Sequence, residues 1–243
     1  MPDSTCESQT AFYAADRKRP PSEDPRELQE ELARLRPFAE LGRMAATVAH
    51  EVRNPLAGIS ANTELLRESV TAREDRESID IILGEVDRLG RLVSDLLHYT
   101  RESEPRSRPL DLGQLCRRVC ELSTRDAEQA GVSIETGGAG YAEGDPELSC
   151  QALLNLVRNA IQASPAGATV HLQAVDRSVL VIDQGQGVPE SIRSRLFEPF
   201  VTGRTRGLGL GAAVARRCLR RQGGDVQLAQ SDAEGSRFHV SWR

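Results

Sequence analysis

Two amides stand four residues apart in LLNLVRNAIQA, Asn155 and Asn159. That spacing puts both on one helix face, and the rest of the segment is largely apolar. Amides buried among aliphatic side chains need polar partners. A bound Mg²⁺ and phosphate oxygens would supply them, because magnesium takes oxygen ligands. A second set, HEVRNPL, places His50, Glu51, Arg53 and Asn54 together ahead of Pro55. An imidazole becomes a nucleophile when a neighbouring base holds the proton on its other nitrogen, and Glu51 is adjacent. Asn54 has both a donor and an acceptor with which to place a water beside a modified histidine. Pro55 frees the Glu51 carbonyl from its helix bond and permits a bend. In VIDQGQGVP, Asp183 ends a strand and can accept from an exocyclic amine, while Gly185 and Gly187 let a ligand approach the backbone. In LFEPFVTGRTRGLGLGAA, Gly207, Gly209 and Gly211 lead into a helix, whose start offers free N–H groups and a positive dipole end to phosphate. The polar loop before it suits a lid, with Arg204 and Arg206 adding charge. Taken singly, each pattern also fits a solvated helix face or an ordinary turn.

The elements that must position these groups follow from periodicity. Residues 1–25 are polar and read as a disordered tail. From Leu41 the apolar positions Leu41, Ala45, Val48, Val52, Leu56, Ile59, Thr63 and Leu66 form one helical stripe. At ~100° per residue His50 lies about 200° from Val48 and Val52, on the side away from that stripe. A second stripe, Ile79, Ile82, Val86, Leu89, Val93, Leu96 and Thr100, has heptad spacing. Two such helices joined by a short loop make a hairpin, and two hairpins make a four-helix bundle. RESEPRSRPLD breaks the pattern and reads as a linker. Beyond it, Asp111 caps a helix through roughly Gln129, VSIET and YAEGD are short strands, and Pro146 opens the asparagine helix. ATVHLQAV and SVLVID form a hairpin, PESIRSRLF is a short helix, and DVQLAQ and SRFHVSW are a final strand pair. This mixture without regular alternation indicates α+β architecture.

The 243 residues carry a net charge of -5, with 31 basic and 36 acidic residues intermixed, so nothing indicates a nucleic-acid surface. Five cysteines without CxxC spacing argue against a disulfide framework or a zinc site. No apolar run reaches the ~20 residues of a membrane span, and the expected location is cytoplasmic.

HEVRNPL resembles the phosphoacceptor motif of the sensor histidine kinases of two-component systems, in the HExRNPL form of the nitrogen-regulation type. The later segments, in order, resemble the N, G1, F and G2 boxes of that family's Bergerat-type ATP-binding domain, shared with gyrase- and Hsp90-like ATPases. The resemblance covers roughly residues 40–243. It implies that His50 accepts the phosphoryl group of ATP, Glu51 acts as base and Asn54 supports dephosphorylation of the partner. It further implies that Asn155 and Asn159 bind Mg²⁺ and phosphate, Asp183 reads the adenine amine, and Gly185 and Gly187 shape the pocket. Phe197 and Phe200 would anchor the lid, Arg204 would stand where a lysine is common, and Gly207, Gly209 and Gly211 would cradle phosphate. Related ATPases carry a water-activating Glu at the place of Asn155; an Asn there fits transfer to histidine. Leu208 and Ala212 depart from the usual GTGLGL pattern, and Gly203 from the usual threonine.

The expected molecule is therefore a tail (1–25), a dimerising phosphotransfer hairpin (26–103), a linker (104–110) and a catalytic ATP-binding domain (111–243). Its expected partners are a second copy, the receiver domain of a separate response regulator, and a sensor or adaptor protein that supplies the signal. The alternatives are a phosphatase-biased or degenerate kinase that uses nucleotide as a conformational switch, or a non-catalytic dimeric scaffold.

Overall fold

The computed structural model describes residues 52–100, 104–203 and 209–243. The tail, the start of the first apolar stripe (Leu41, Ala45 and Val48), His50, Glu51, Arg204, Arg206 and Gly207 lie outside the described residues. Helix α1 (residues 52–69) and helix α2 (Arg73–Thr100) form the expected antiparallel hairpin. Contacts across it fix the register. Arg53 Nη2 donates to Ser94 Oγ at 3.1 Å, and Arg67 pairs with Asp80 at 3.3 Å near the turn. Thr63 and Ile79 are buried, and Thr63 Oγ1 returns to the Ile59 carbonyl at 2.7 Å. No helix among the described residues is long and apolar enough to cross a membrane.

The segment expected as a linker, 104–110, does not stay free. Its end forms strand β1 (Arg108–Asp111), which pairs antiparallel with β2 (Ser133–Gly144). Pro109 is tolerated because β1 is the edge strand, where a missing donor costs no ladder bond on the open side. Asp111 then caps α3 (Leu112–Ala130), accepting from the Gln114 N–H at 2.8 Å, and Gly131 closes that helix in the left-handed conformation.

VSIET and YAEGD are one continuous strand rather than two. Its first part, Ser133 to Gly140, pairs parallel with β3 (Thr169–Asp176), and its end pairs with β1. Gly138 permits this. Its φ is +74°, and a Cβ there would run into the Ala174 carbonyl oxygen on β3. Helix α4 (Pro146–Ala163) follows, capped by Asp145 with Pro146 in its first turn. Strand β4 (Ser178–Asp183), the short helix α5 (Glu190–Arg193), α6 (Gly211–Arg220), β5 (Asp225–Asp232) and β6 (Gly235–Ser241) complete the chain. The sheet order is β1-β2-β3-β4-β6-β5, mixed, as the α+β expectation requires. Helices α3, α4 and α6 cover one face. Leu112, Val119, Leu153, Leu156, Leu172, Val181, Val214 and Leu219 are fully buried between helices and sheet. Removing such side chains from water, at about 1.5–3 kcal/mol each, is the main force that sets α4 and α6 side by side.

Candidate nucleotide and phosphotransfer site

Helix α4 turns Leu153, Leu156, Val157 and Ala160 into the core, so Asn155 and Asn159 come out along its edge toward α6. Asn155 is buried, and its Nδ2 donates to the Gln151 carbonyl at 2.9 Å. This bond commits the amide nitrogen and turns the carbonyl oxygen toward the first residue of α6. A Cβ on Gly211 would lie 3.6 Å from Asn155 Oδ1, and 3.2 and 3.3 Å from Asn159 Nδ2 and Oδ1. Two distant parts of the sequence thus meet at the start of a ten-residue helix. An oxygen donor presented beside a helix N-terminus fits both a hard cation and a phosphate.

Asp183 ends β4 and is buried. Its Oδ1 accepts from the Gly185 N–H at 2.9 Å and the Ser236 N–H at 3.1 Å, which fix its carboxylate. Ser236 was not legible as part of the site. It reaches Asp183 only because β4 and β6 pair in that register.

The glycines divide. The sequence reading gives Gly185 and Gly187 the task of letting a ligand approach. In the structure their missing side chains admit protein backbone. A Cβ on Gly185 would meet the Ala163 carbonyl at 2.7 Å, and one on Gly187, with φ +73°, would strike the Asp232 carbonyl. They allow the turn after β4 to pack against α4 and the β5–β6 hairpin. Among the described glycines of these motifs, Gly211 alone faces the asparagine pair.

The two phenylalanines also differ. Phe197 packs against the core, edge-on to Phe238 at 6.5 Å, with the Arg216 guanidinium 5.0 Å from its ring centre. Phe200 is more exposed, at 49%. It holds by its backbone, at φ +64°, with its N–H donated to the Gly209 carbonyl at 3.0 Å. Arg216 was missed by sequence reasoning because an arginine on a basic helix gives no sign that it will lie on an aromatic ring.

Asn54 is exposed on α1, one residue from Arg53. Between the hairpin and α4 lies a groove of about 540 Å³ whose walls include Arg53, Ser94, Gln151 and Arg158. Arg158 is held there by Asp126 at 3.2 Å. The acceptor helix and the asparagine helix therefore bound a common space.

A helical hairpin followed by a helix-covered mixed sheet, with paired asparagines at the start of a glycine-led helix, defines a phosphoacceptor-type hairpin joined to a GHKL-type ATPase domain. Comparison with known proteins agrees. Residues 40–105 match the His Kinase A (phospho-acceptor) domain, and residues 144–243 the histidine kinase-, DNA gyrase B- and HSP90-like ATPase family. The sensor histidine kinase ZraS of Escherichia coli (strain K12) is 32% identical over 219 residues, which span 87% of this chain and 47% of ZraS. The structure of full-length ShkA in complex with AMPPNP superposes with a TM-score of 0.62 at 30% identity, over 83% of this chain and 46% of that one. Histidine kinase ThkA, solved in complex with response regulator protein TrrA, gives 0.58 at 26% identity, over 91% of this chain and 67% of ThkA. The chain belongs to the sensor histidine kinases of two-component systems. It spans about half the length, or less, of the curated relatives it matches.

Proposed function

We propose that this chain transfers the γ-phosphoryl group of ATP to His50 and then to an aspartate on the receiver domain of a separate response regulator, which it also dephosphorylates. The observation that carries this reading is the meeting of Asn155 and Asn159 with Gly211 at the start of α6, the asparagines standing on α4, the helix that also lines the groove against the hairpin. In this reading Asp183 selects the adenine through its exocyclic amine, held rigid by the Gly185 and Ser236 N–H groups. The start of α6 receives the phosphates, with Gly207 and Gly209 forming the approach and Arg204 adding charge. Asn155 and Asn159 would hold Mg²⁺ through their carbonyl oxygens, and the ion would supply charge neutralisation to the phosphates. Glu51 keeps the proton on the far nitrogen of His50, so the near nitrogen attacks in line. Phosphoryl transfer asks mainly for positioning and charge neutralisation. Asn54, exposed on α1, places the water that releases phosphate from the regulator.

We further propose that the hairpin, over residues 26–103, works as a homodimer. Ile59, Leu66, Ile82 and Leu89 remain 38–57% exposed although they belong to the two apolar stripes, and a second hairpin would cover them. The location proposed is the cytoplasm, with the signal delivered by another protein.

Incubation of the protein with γ-labelled Mg-ATP tests the core of this. The label should be acid-labile and alkali-stable, and absent from His50→Gln. Acid-stable label, or equal labelling of the variant, refutes it. Asn54→Ala should keep autophosphorylation and lose dephosphorylation of the regulator.

A further inference from the structure

Arg216 lies one and a half turns into α6 and makes two kinds of contact at once. Its Nε and Nη2 donate to Asp225 Oδ1 and Oδ2 at 2.9 and 3.2 Å, which fixes the plane of the guanidinium. Its carbon centre stands 5.0 Å from the centre of the Phe197 ring. Phe197 is in turn held edge-on by Phe238 of β6. Three residues on from Phe197, the Phe200 N–H bonds the Gly209 carbonyl. Gly209 is so close to this strand of chain that a Cβ on it would lie 2.7 Å from the Phe200 carbonyl carbon. Two residues after Gly209 comes Gly211, against Asn155 and Asn159. The contacts close a circuit that runs from α6 through Arg216, Phe197, Phe200 and Gly209 back to the first residue of α6. Arg220 supplies the comparison. It also donates to Asp225, through two bonds of 3.3 Å, yet it is more exposed and touches no ring.

We propose that Arg216 is a positioning residue for nucleotide binding: pinned by Asp225, it is the shelf that holds Phe197, and through the Phe200–Gly209 neck it sets where the start of α6 stands against the asparagine pair. This rests on the reading of that site as a nucleotide site. An ion pair to Asp225 alone cannot supply the effect, since Arg220 has one too. The planar guanidinium is needed, because one group must both bond a carboxylate side-on and present its face to a ring.

The test compares Arg216→Gln with Arg220→Gln in the full chain. Each loses one arginine from Asp225, but only the first loses the shelf. Titration with a fluorescent ATP analogue should give a roughly tenfold weaker Kd for Arg216→Gln, the size of one part-buried cation–π contact, and a value near wild type for Arg220→Gln. In autophosphorylation the KM for ATP should rise in Arg216→Gln while the rate at saturation stays within about twofold, whereas a general loss of folded protein would lower the rate and leave KM alone. Hydrogen exchange at the Phe200 amide, read without nucleotide, should accelerate in Arg216→Gln only. Equal behaviour of the two variants in affinity and in Phe200 exchange overturns the proposal. If wild type binds no nucleotide, the reading of the site falls. The Phe200 amide then still decides whether Arg216 holds the neck.

Discussion

Asp145 is a sharp place to perturb the molecule, because its carboxylate joins two segments through three backbone donors. Oδ1 accepts from Glu147 and Leu148 at 2.9 and 3.1 Å, which caps α4, and Oδ2 accepts from Arg106 at 2.7 Å, which ties down the chain leading from the hairpin. Asp145→Asn preserves the cap, since asparagine serves at that position as well as aspartate. It cannot preserve the third bond, because its NH₂ would face the Arg106 N–H. A hydrogen bond to a charged acceptor contributes about 1.5–3 kcal/mol, and a buried donor left unpaired costs about 1–3 kcal/mol. We therefore expect a loss of about 2 kcal/mol, or roughly 4–8 °C in Tm for a domain of this size. Asp145→Ala should lose about 1 kcal/mol more with the cap. Burial raises the carboxyl's pKa, but the bonds from Arg106, Leu148 and Glu147 outweigh it and hold the group below its ordinary value of 3.8. A depressed carboxylate stabilises fully above its unfolded pKa, and the contribution disappears as pH falls through that value toward the folded one. Urea midpoints of wild type and Asp145→Asn should therefore differ at neutral pH and converge below about pH 4. Equal midpoints at pH 7, or a gap that persists at low pH, would refute the reasoning, as would unchanged exchange of the Arg106 amide.

Other expectations come from the same geometry. Gly211→Ala places a methyl 3.2–3.6 Å from the amide ends of both asparagines, which must shift to admit it, and should weaken ATP binding about tenfold in a fluorescent-nucleotide titration while the urea midpoint moves little. Gly138→Ala combines a left-handed φ with collision against the Ala174 carbonyl, and should lower stability by more than about 2 kcal/mol in urea unfolding. Burial pushes the Cys116 and Cys218 thiols up to about 11. Both should therefore react with a thiol reagent at pH 8 only on the timescale of unfolding, as timed absorbance would show.

The parts of this fold that were legible in the sequence are those where one local signal and one burial pattern coincide. Helix α4 begins at an Asp-Pro pair that caps it and starts its first turn, and β4 alternates Val179 and Val181 inward with Ser178, Leu180 and Ile182 outward. Strand β2 was read as two because Gly137, Gly138 and Gly140 carry the composition of a turn. What keeps them extended is the partner strand, and Gly138 is glycine because β3 is so near. RESEPRSRPLD reads as a linker because it breaks the helical pattern, while the place of β1 at the edge, where Pro109 is tolerated, is a property of the whole sheet. The same limit governs the site. Residue type and order single out Asn155, Asn159, Asp183 and Gly211 as candidates, and the structure brings Asn155, Asn159 and Gly211 together. That Gly185 and Gly187 serve packing, or that Ser236 and Arg216 belong to the assembly, depends on which strand ends lie together.

The hairpin carries this argument one step further. Within the α+β domain the apolar faces of α4 and α6 are buried, because these helices find the sheet within the same chain. In the hairpin, apolar periodicity and burial part. Val52, Leu56, Val86 and Val93 are partly covered and Thr63 and Ile79 buried, yet Ile59, Leu66, Ile82 and Leu89 on the same stripes stay open. Leu65 and Ile81 are more exposed still, and they lie off the stripes near the turn. A pair of helices can bury only the side each turns to the other, while a four-helix bundle buries a wider arc of each. In the dimer proposed above, the excess of apolar positions over what one hairpin covers is the surface that a second chain would bury. In the α+β domain, where the chain supplies its own partner, no comparable excess is seen among the described residues of α4 and α6.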